Sequence, residues 1–163
     1  MMAKQILIAS DHAGFELKEK LEAWLREMGY SVKDLGTDSE DSSDYADYAH
    51  PLAQQVSEGE AERGVLLCGP GLGMSYVANR YPHVRAALAW SPEIAELSRR
   101  HNDANILALP ARFLSEEQAK QILETFLDTP FDGGRHERRI QKIDANIGAA
   151  HNEGGRSQPT ETR

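Results

Sequence analysis

The chain has 163 residues, 40% of them hydrophobic and 27% charged, which suits one globular domain around one core and leaves no room for two full domains. With 18 basic against 26 acidic side chains the net charge is -8, so most of the surface repels phosphate backbones and anionic membranes, and neither nucleic acid nor a membrane is expected as a partner. No apolar run approaches the roughly 20 residues that cross a bilayer, and the single cysteine, Cys68, excludes an internal disulfide and a multi-cysteine metal site; the expectation is a cytoplasmic protein.

Short β-rich runs alternate with runs of helical period, the pattern of βαβ units and a parallel sheet. Gln5–Ser10 is the first strand, Asp11–Gly14 a turn, and Phe15 to about Met28 a helix that directs Phe15, Leu17, Leu21, Trp24 and Leu25 inward and is closed by Gly29. Ser31–Leu35 is the second strand. The stretch 36–44 is a polar loop with no core-forming residue, and Tyr45–Ser57 is the next helix. Gly64–Cys68 is apolar in the manner of a buried parallel strand. It enters the loop Gly69-Pro70-Gly71-Leu72-Gly73 and then a helix from about Met74 to Arg80. Val84–Trp90 is a fourth strand, Pro92–Arg100 a helix with proline in its first turn, Ala104–Leu109 a fifth strand and Ser115–Leu127 a helix. Asp132-Gly133-Gly134 leads into a basic helix from Arg135 to about Ile147. The expected fold is thus α/β, a single domain over 1–147 with a five-stranded parallel sheet, followed by a disordered tail at 148–163 that lacks an apolar pattern.

In such a sheet, ligands bind beyond the carboxyl ends of the strands, where helix N-termini point. The strand ends would gather Ser10-Asp11-His12, Cys68–Gly73, Trp90-Ser91 and Pro110-Ala111-Arg112 around one crevice. Gly69, Gly71 and Gly73 let backbone N–H groups approach an anion closely, although a tight strand-to-helix turn needs the same glycines. Neither the dinucleotide fingerprint nor a Walker loop is present. Cys68 reads as a buried small hydrophobe or, facing a helix N-terminus, as a thiol lowered from about 8.5 toward neutrality and able to act as base or nucleophile. Asp11 and His12 suit helix capping and a surface imidazole as well as catalysis, and His101 suits a helix C-terminus. Arg135 and Arg139, four apart, share a helix face and can grip one phosphate, or can both be solvated. The nine acidic residues between Asp34 and Glu62, with no Lys or Arg among them, read as a solvated face.

Five segments, taken together, are more specific: Ser10-Asp11-His12-Ala13-Gly14-Phe15 through Lys18, Asp44-Tyr45-Ala46-Asp47-Tyr48-Ala49, Cys68 through Ser75, Arg99-Arg100-His101-Asn102-Asp103-Ala104-Asn105, and Gly133 through Arg139. In one collinear order from about Gln5 to Ile147 they resemble the ribose-5-phosphate isomerase B family, which also includes the galactose-6-phosphate isomerase subunits. The resemblance implies a Rossmann-like three-layer α/β/α sandwich, assembled as a homodimer with active sites at the subunit interface. It implies aldose–ketose isomerisation of a phosphosugar through a cis-enediolate with neither metal nor organic cofactor, ribose 5-phosphate to ribulose 5-phosphate being the first expectation. By position, Cys68 would be the base between C1 and C2. His101 would act on the ring oxygen to open the furanose, and Asp11 would handle the anomeric hydroxyl. His12, Arg135 and Arg139 would hold the phosphate, Asn102 and the backbone of Gly69, Gly71 and Gly73 would bind the enediolate, and Tyr45 and Arg112 would line the substrate. Two residues depart from the family pattern. Pro70 stands where the family has Thr or Ser, and Pro110 replaces a glycine. Pro70 brings neither a hydroxyl nor an N–H, which leaves open a tetrose or hexose phosphate as substrate, or a phosphosugar-binding protein without turnover. A receiver-type signalling domain would need a phosphoacceptor Asp where the third strand ends in Cys68.

Overall fold

The structure is a computed structural model that describes residues 4–145 and 147; the tail expected at 148–163 lies outside the described residues. Five strands, β1 (Gln5–Ser10), β2 (Ser31–Asp34), β3 (Arg63–Cys68), β4 (Ala86–Leu88) and β5 (Ile106–Pro110), form one parallel sheet in the order β2-β1-β3-β5-β4. Among the described residues six α-helices connect and flank them: α1 (Phe15–Glu27), α2 (Tyr45–Ser57), α3 (Leu72–Ala78), α4 (Pro92–Asn102), α5 (Glu116–Asp128) and α6 (Arg135–Ala145). The chain leaves β1 toward β2 on one side and returns to place β3 on the other, so the order reverses between β1 and β3. That reversal opens a crevice beyond their carboxyl ends.

Alternation along the central strands builds two cores, which makes the three layers. Ile6, Ile8, Val65, Leu67, Leu107 and Leu109 pack with Leu21 and Leu25 of α1 and with Ala119, Ile122, Leu123 and Phe126 of α5. Leu7, Ala9, Leu66 and Ile106 point the other way, onto Leu52 and Val56 of α2 and Met74 and Ala78 of α3. Both faces are covered, which explains why β3 reads as an uninterrupted apolar run. α6 stands apart. It has no buried residue and packs on α4 rather than on the sheet. No described helix is long and apolar enough to cross a membrane.

Three expectations need correction. The fourth strand is only Ala86–Leu88, because β4 is an edge strand with β5 as its one neighbour; Arg85 N–H is taken by the Asn105 side chain at 2.8 Å, and Trp90 is exposed. The polar loop does contribute a buried residue, Thr37, whose N–H bonds Ser10 O at 2.8 Å. On α1 the fully buried positions are Lys18, Leu21 and Leu25, while Phe15, Leu17 and Trp24 are half-buried.

Candidate active site

β3 ends on Cys68, and Gly71, at φ +77, turns the chain directly into α3. Only glycine fits there. A Cβ on Gly71 would lie 2.5 Å from Leu88 Cδ1 and 3.2 Å from the backbone of Leu109 and Pro110, and the left-handed conformation itself costs an L-residue roughly 1–2 kcal/mol. The turn aims the backbone N–H groups of Gly71, Gly73 and Met74 at the Cys68 sulfur. Pro70, exposed at the lip of the loop, is not among these donors, so its missing N–H leaves the set whole. The thiol is 2% exposed. Burial is the largest influence on it and pushes it up; the three amides pull it down and the nearby Asp11 carboxylate pushes it up again, so that Cys68 ends above the ordinary thiol value. The expected fall toward neutrality is therefore not found in the single chain, because desolvation outweighs the helix N-terminus.

Asp11 follows β1, the strand beside β3, and is buried, with Oδ1 accepting from the N–H groups of Ala13 at 3.0 Å and Gly14 at 3.2 Å. It caps the short turn His12–Gly14 that leads into α1, so the capping reading of Asp11 is borne out, and its charge also reaches Cys68. His12 is half-buried; its Nδ1 accepts from Ser43 N–H at 3.1 Å. The Tyr45 ring lies over Gly73, where a Cβ would come within 2.6 Å of it, and the Arg112 side chain lies along Gly69 at 3.4 Å from such a Cβ. Arg112 N–H also bonds Gly69 O at 3.1 Å. Asp11, His12, Tyr45, Cys68, Gly69, Gly71, Gly73 and Arg112 thus share the carboxyl edge of the sheet.

His101, Asn102, Arg135 and Arg139 do not join them. α4 ends at Asn102, just before β5 begins at Ile106, whereas Cys68 pairs with Pro110 at the other end of that strand. About 13 Å of β5 lies between, at about 3.3 Å per residue. The expected single crevice is therefore divided, because in a parallel sheet the helix that precedes a strand delivers its C-terminus to the amino edge. At this second locus the His101 and His136 rings stack at 4.4 Å with 12° between their planes, and Asp132 N–H bonds Arg100 O at 3.0 Å. Burial, followed by the positive neighbours His101, Arg135 and Arg139, holds His136 below the usual histidine range. Donor atoms of His101, Asp132 and His136 come within 4.8 Å of one another. Nearly parallel rings keep the two imidazole lone pairs from meeting at one point, which is not the arrangement of a tetrahedral zinc site. Arg135 and Arg139 are exposed and four apart on α6, an amphipathic helix that leaves Ile143 uncovered. Beside it, Asn102, Val84, Ala86, Ala87, Ala104 and Ile143 line a shallow apolar groove of about 330 Å³.

Three neighbours of the site were not among the site residues expected from the sequence. Ser43 meets His12 across 31 positions, His136 meets His101 across two helices, and Lys18 lies beneath the loop that leads to Ser43. Lys18 alone had a signal, since Lys18, Leu21 and Leu25 fall on one helix face, yet it was not among the residues expected inward on α1.

The Ribose/Galactose Isomerase family profile matches residues 6–143. The chain is 42% identical over 142 residues to ribose-5-phosphate isomerase B of Escherichia coli, covering 87% of this chain and 95% of that protein. Among solved structures it is similar to a ribose 5-phosphate isomerase of Thermotoga maritima at 58% identity and a TM-score of 0.85, covering 86% of this chain and 97% of that one. It is also similar to ribose-5-phosphate isomerase B of Mycoplasma genitalium, solved with bound ribulose-5-phosphate, at 39% identity and a TM-score of 0.84, covering 88% and 95%. Since the profile spans nearly all the described residues and the Escherichia coli relative is matched over almost its whole length, this chain belongs to the ribose/galactose isomerase family.

Proposed function

We propose that the protein interconverts ribose 5-phosphate and ribulose 5-phosphate as a homodimer, with Cys68 as the carbon base. The observation that carries this reading is the Cys68 sulfur, buried at the β1–β3 reversal beneath three backbone donors and beside the Asp11 carboxylate. A proton on carbon beside a carbonyl becomes acidic only where donors stabilise the oxyanion that forms, and the loop supplies such donors. The Mycoplasma genitalium relative, with ribulose-5-phosphate bound, supports the phosphosugar class.

In the proposed sequence His101 gives a proton to the ring oxygen while Asp11 accepts the anomeric hydroxyl proton, leaving an open-chain aldose. The Cys68 thiolate then takes the C2 proton. The C–H pair forms the C1–C2 double bond, and the carbonyl pair moves onto O1, which faces the amides of Gly69, Gly71 and Gly73 and the Asn102 side chain. Return of the proton from sulfur to C1, with the O2 proton passing to O1, yields the ketose. His12, Arg135 and Arg139 hold the phosphate, with Tyr45 and Arg112 along the sugar. Every atom is conserved, and the sequence calls on no metal, oxidant or organic cofactor. Because His101, Asn102, Arg135 and Arg139 lie at the opposite sheet edge from Cys68, one protomer supplies the carboxyl-edge residues and its partner the rest. The apolar groove beside Ile143 is the kind of surface a second copy would cover.

Cys68→Ala should lower kcat for ribose 5-phosphate by about 100- to 10,000-fold, the range for a positioned general base, without altering the circular dichroism spectrum. Full activity of Cys68→Ala, or complete loss of wild-type activity in a chelator, would overturn the assignment.

A further inference from the structure

We infer that Ser43 is a positioning residue that holds the His12 imidazole as the tautomer with its proton on Nε2, so that His12 meets its ligand as a hydrogen-bond donor to an anionic oxygen. The tautomer stands on the His12–Ser43 hydrogen bonds alone; that the ligand facing His12 is an anion, and a sugar phosphate, rests on the isomerase reading.

His12 and Ser43 make a reciprocal pair. The His12 backbone N–H donates to Ser43 Oγ at 3.0 Å, and the Ser43 backbone N–H donates to His12 Nδ1 at 3.1 Å. A peptide N–H can only donate, so Nδ1 must present its lone pair; a ring carrying hydrogen on Nδ1 would set two N–H groups against each other. The proton of the neutral ring is then on Nε2. This matters because of what surrounds it. The loop that carries Ser43 bears Asp38, Glu40, Asp41 and Asp44. An imidazole presenting a bare Nε2 lone pair would add to the repulsion that those carboxylates exert on a phosphate dianion, whereas Nε2–H offsets it.

The loop is tied down at its other end as well, so Ser43 is delivered to His12 by a fixed frame. Ser10 N–H donates to Gly36 O at 2.7 Å and Thr37 N–H to Ser10 O at 2.8 Å. Gly36 N–H donates to Asp34 Oδ1 at 2.9 Å, and the other oxygen of Asp34 takes the ammonium of the fully buried Lys18. Both ends of the 36–43 stretch are therefore bonded to the end of β1 or to its immediate neighbours. The two bonds of Ser43 have separable jobs, because Oγ holds the His12 backbone while the N–H chooses the tautomer.

Long-range proton–nitrogen NMR of the full chain, with His12 assigned by comparison with His12→Gln, reads the tautomer directly. The expected spectrum shows Nδ1 unprotonated and Nε2 protonated; an Nδ1–H tautomer, or averaging between the two, overturns the inference. Ser43→Ala keeps the N–H, so the tautomer should persist while inorganic phosphate binds about three- to tenfold more weakly, the loss of one hydrogen bond. Under the isomerase reading the KM for ribose 5-phosphate should rise by the same factor with kcat within twofold of wild type, and Ser43→Thr should restore it. A fall in kcat with KM unchanged overturns the positioning role. If no sugar phosphate is turned over but phosphate still perturbs the His12 signals and Ser43→Ala weakens that binding, the inference stands and the isomerase reading falls.

Discussion

The Cys68 thiol shows how a single residue can sit under opposed influences. Three amides at the start of α3 favour the thiolate, yet a side chain 2% exposed and near Asp11 loses more by desolvation than it gains. Each unit by which the thiol rises disfavours its ionised form by about 1.4 kcal/mol. Alkylation of Cys68 by iodoacetamide should therefore accelerate with pH through a midpoint above about 8.5, the ordinary thiol value. Since Cys68 is the one cysteine, mass spectrometry follows it without ambiguity. A midpoint at or below neutrality would show that assembly with a second copy reverses the balance found in one chain. Legibility at this scale was partial. The residue type and its glycine loop stood out in the sequence, but the direction of the thiol shift depended on burial depth and on Asp11, 57 positions away, neither of which a residue pattern encodes.

Among the elements, α1 and β2 are joined by an ion pair that does not belong to a surface. Lys18 is fully buried and holds Asp34, whose side chain is 27% exposed; the Phe15 ring lies 5.3 Å from the ammonium. Burial pushes the Asp34 carboxyl up, but the hydrogen bonds from Lys18 and from Gly36 N–H outweigh it and hold the group below the ordinary carboxylate range. Its neighbour Glu22, raised chiefly by burial, works in the opposite sense. A carboxyl with a depressed folded value stabilises the fold fully above its unfolded value, near pH 4, and loses that contribution as the pH falls through the lower folded value. Lys18→Met should cost about 1–3 kcal/mol near neutral pH. That lies below the range for breaking a fully buried pair, because Asp34 retains some solvent. Urea unfolding should show the gap between wild type and variant narrowing as the pH drops below about 4; a gap independent of pH would mean that Lys18 acts by packing alone. The long helices were legible because their burial repeats at 3.6 residues, and the central strands because both their faces are buried and they read as short uninterrupted apolar runs. β4 was overestimated because its apolar run continues past the point where it has a partner.

At the scale of the whole molecule, the two loci on opposite sheet edges predict interdependence between copies. A Cys68→Ala protein and a His101→Ala protein should each be nearly inactive alone. After mixing, unfolding and refolding together, half the dimers should be mixed, each with one intact and one doubly defective site, and about a quarter of wild-type activity should return. Sedimentation should find a dimer in both variants. Recovery absent from a mixture that demonstrably contains mixed dimers would place both groups in the same protomer's site.

The order of strands and helices, the apolar β3, the glycine turn into α3 and the Arg135–Arg139 spacing follow from the residues alone, because each depends on torsional preference and on a burial pattern repeated along a few turns of chain. Folding decided the rest. Inserting β5 between β3 and β4 brings Pro110 opposite Cys68 and makes β4 an edge; the parallel connection sends His101 and Asn102 to the amino edge; and closing the 36–43 loop onto β1 sets Ser43 against His12. These are contacts between positions far apart in the chain, set by which strands are neighbours and where each connection returns, and no local period records that.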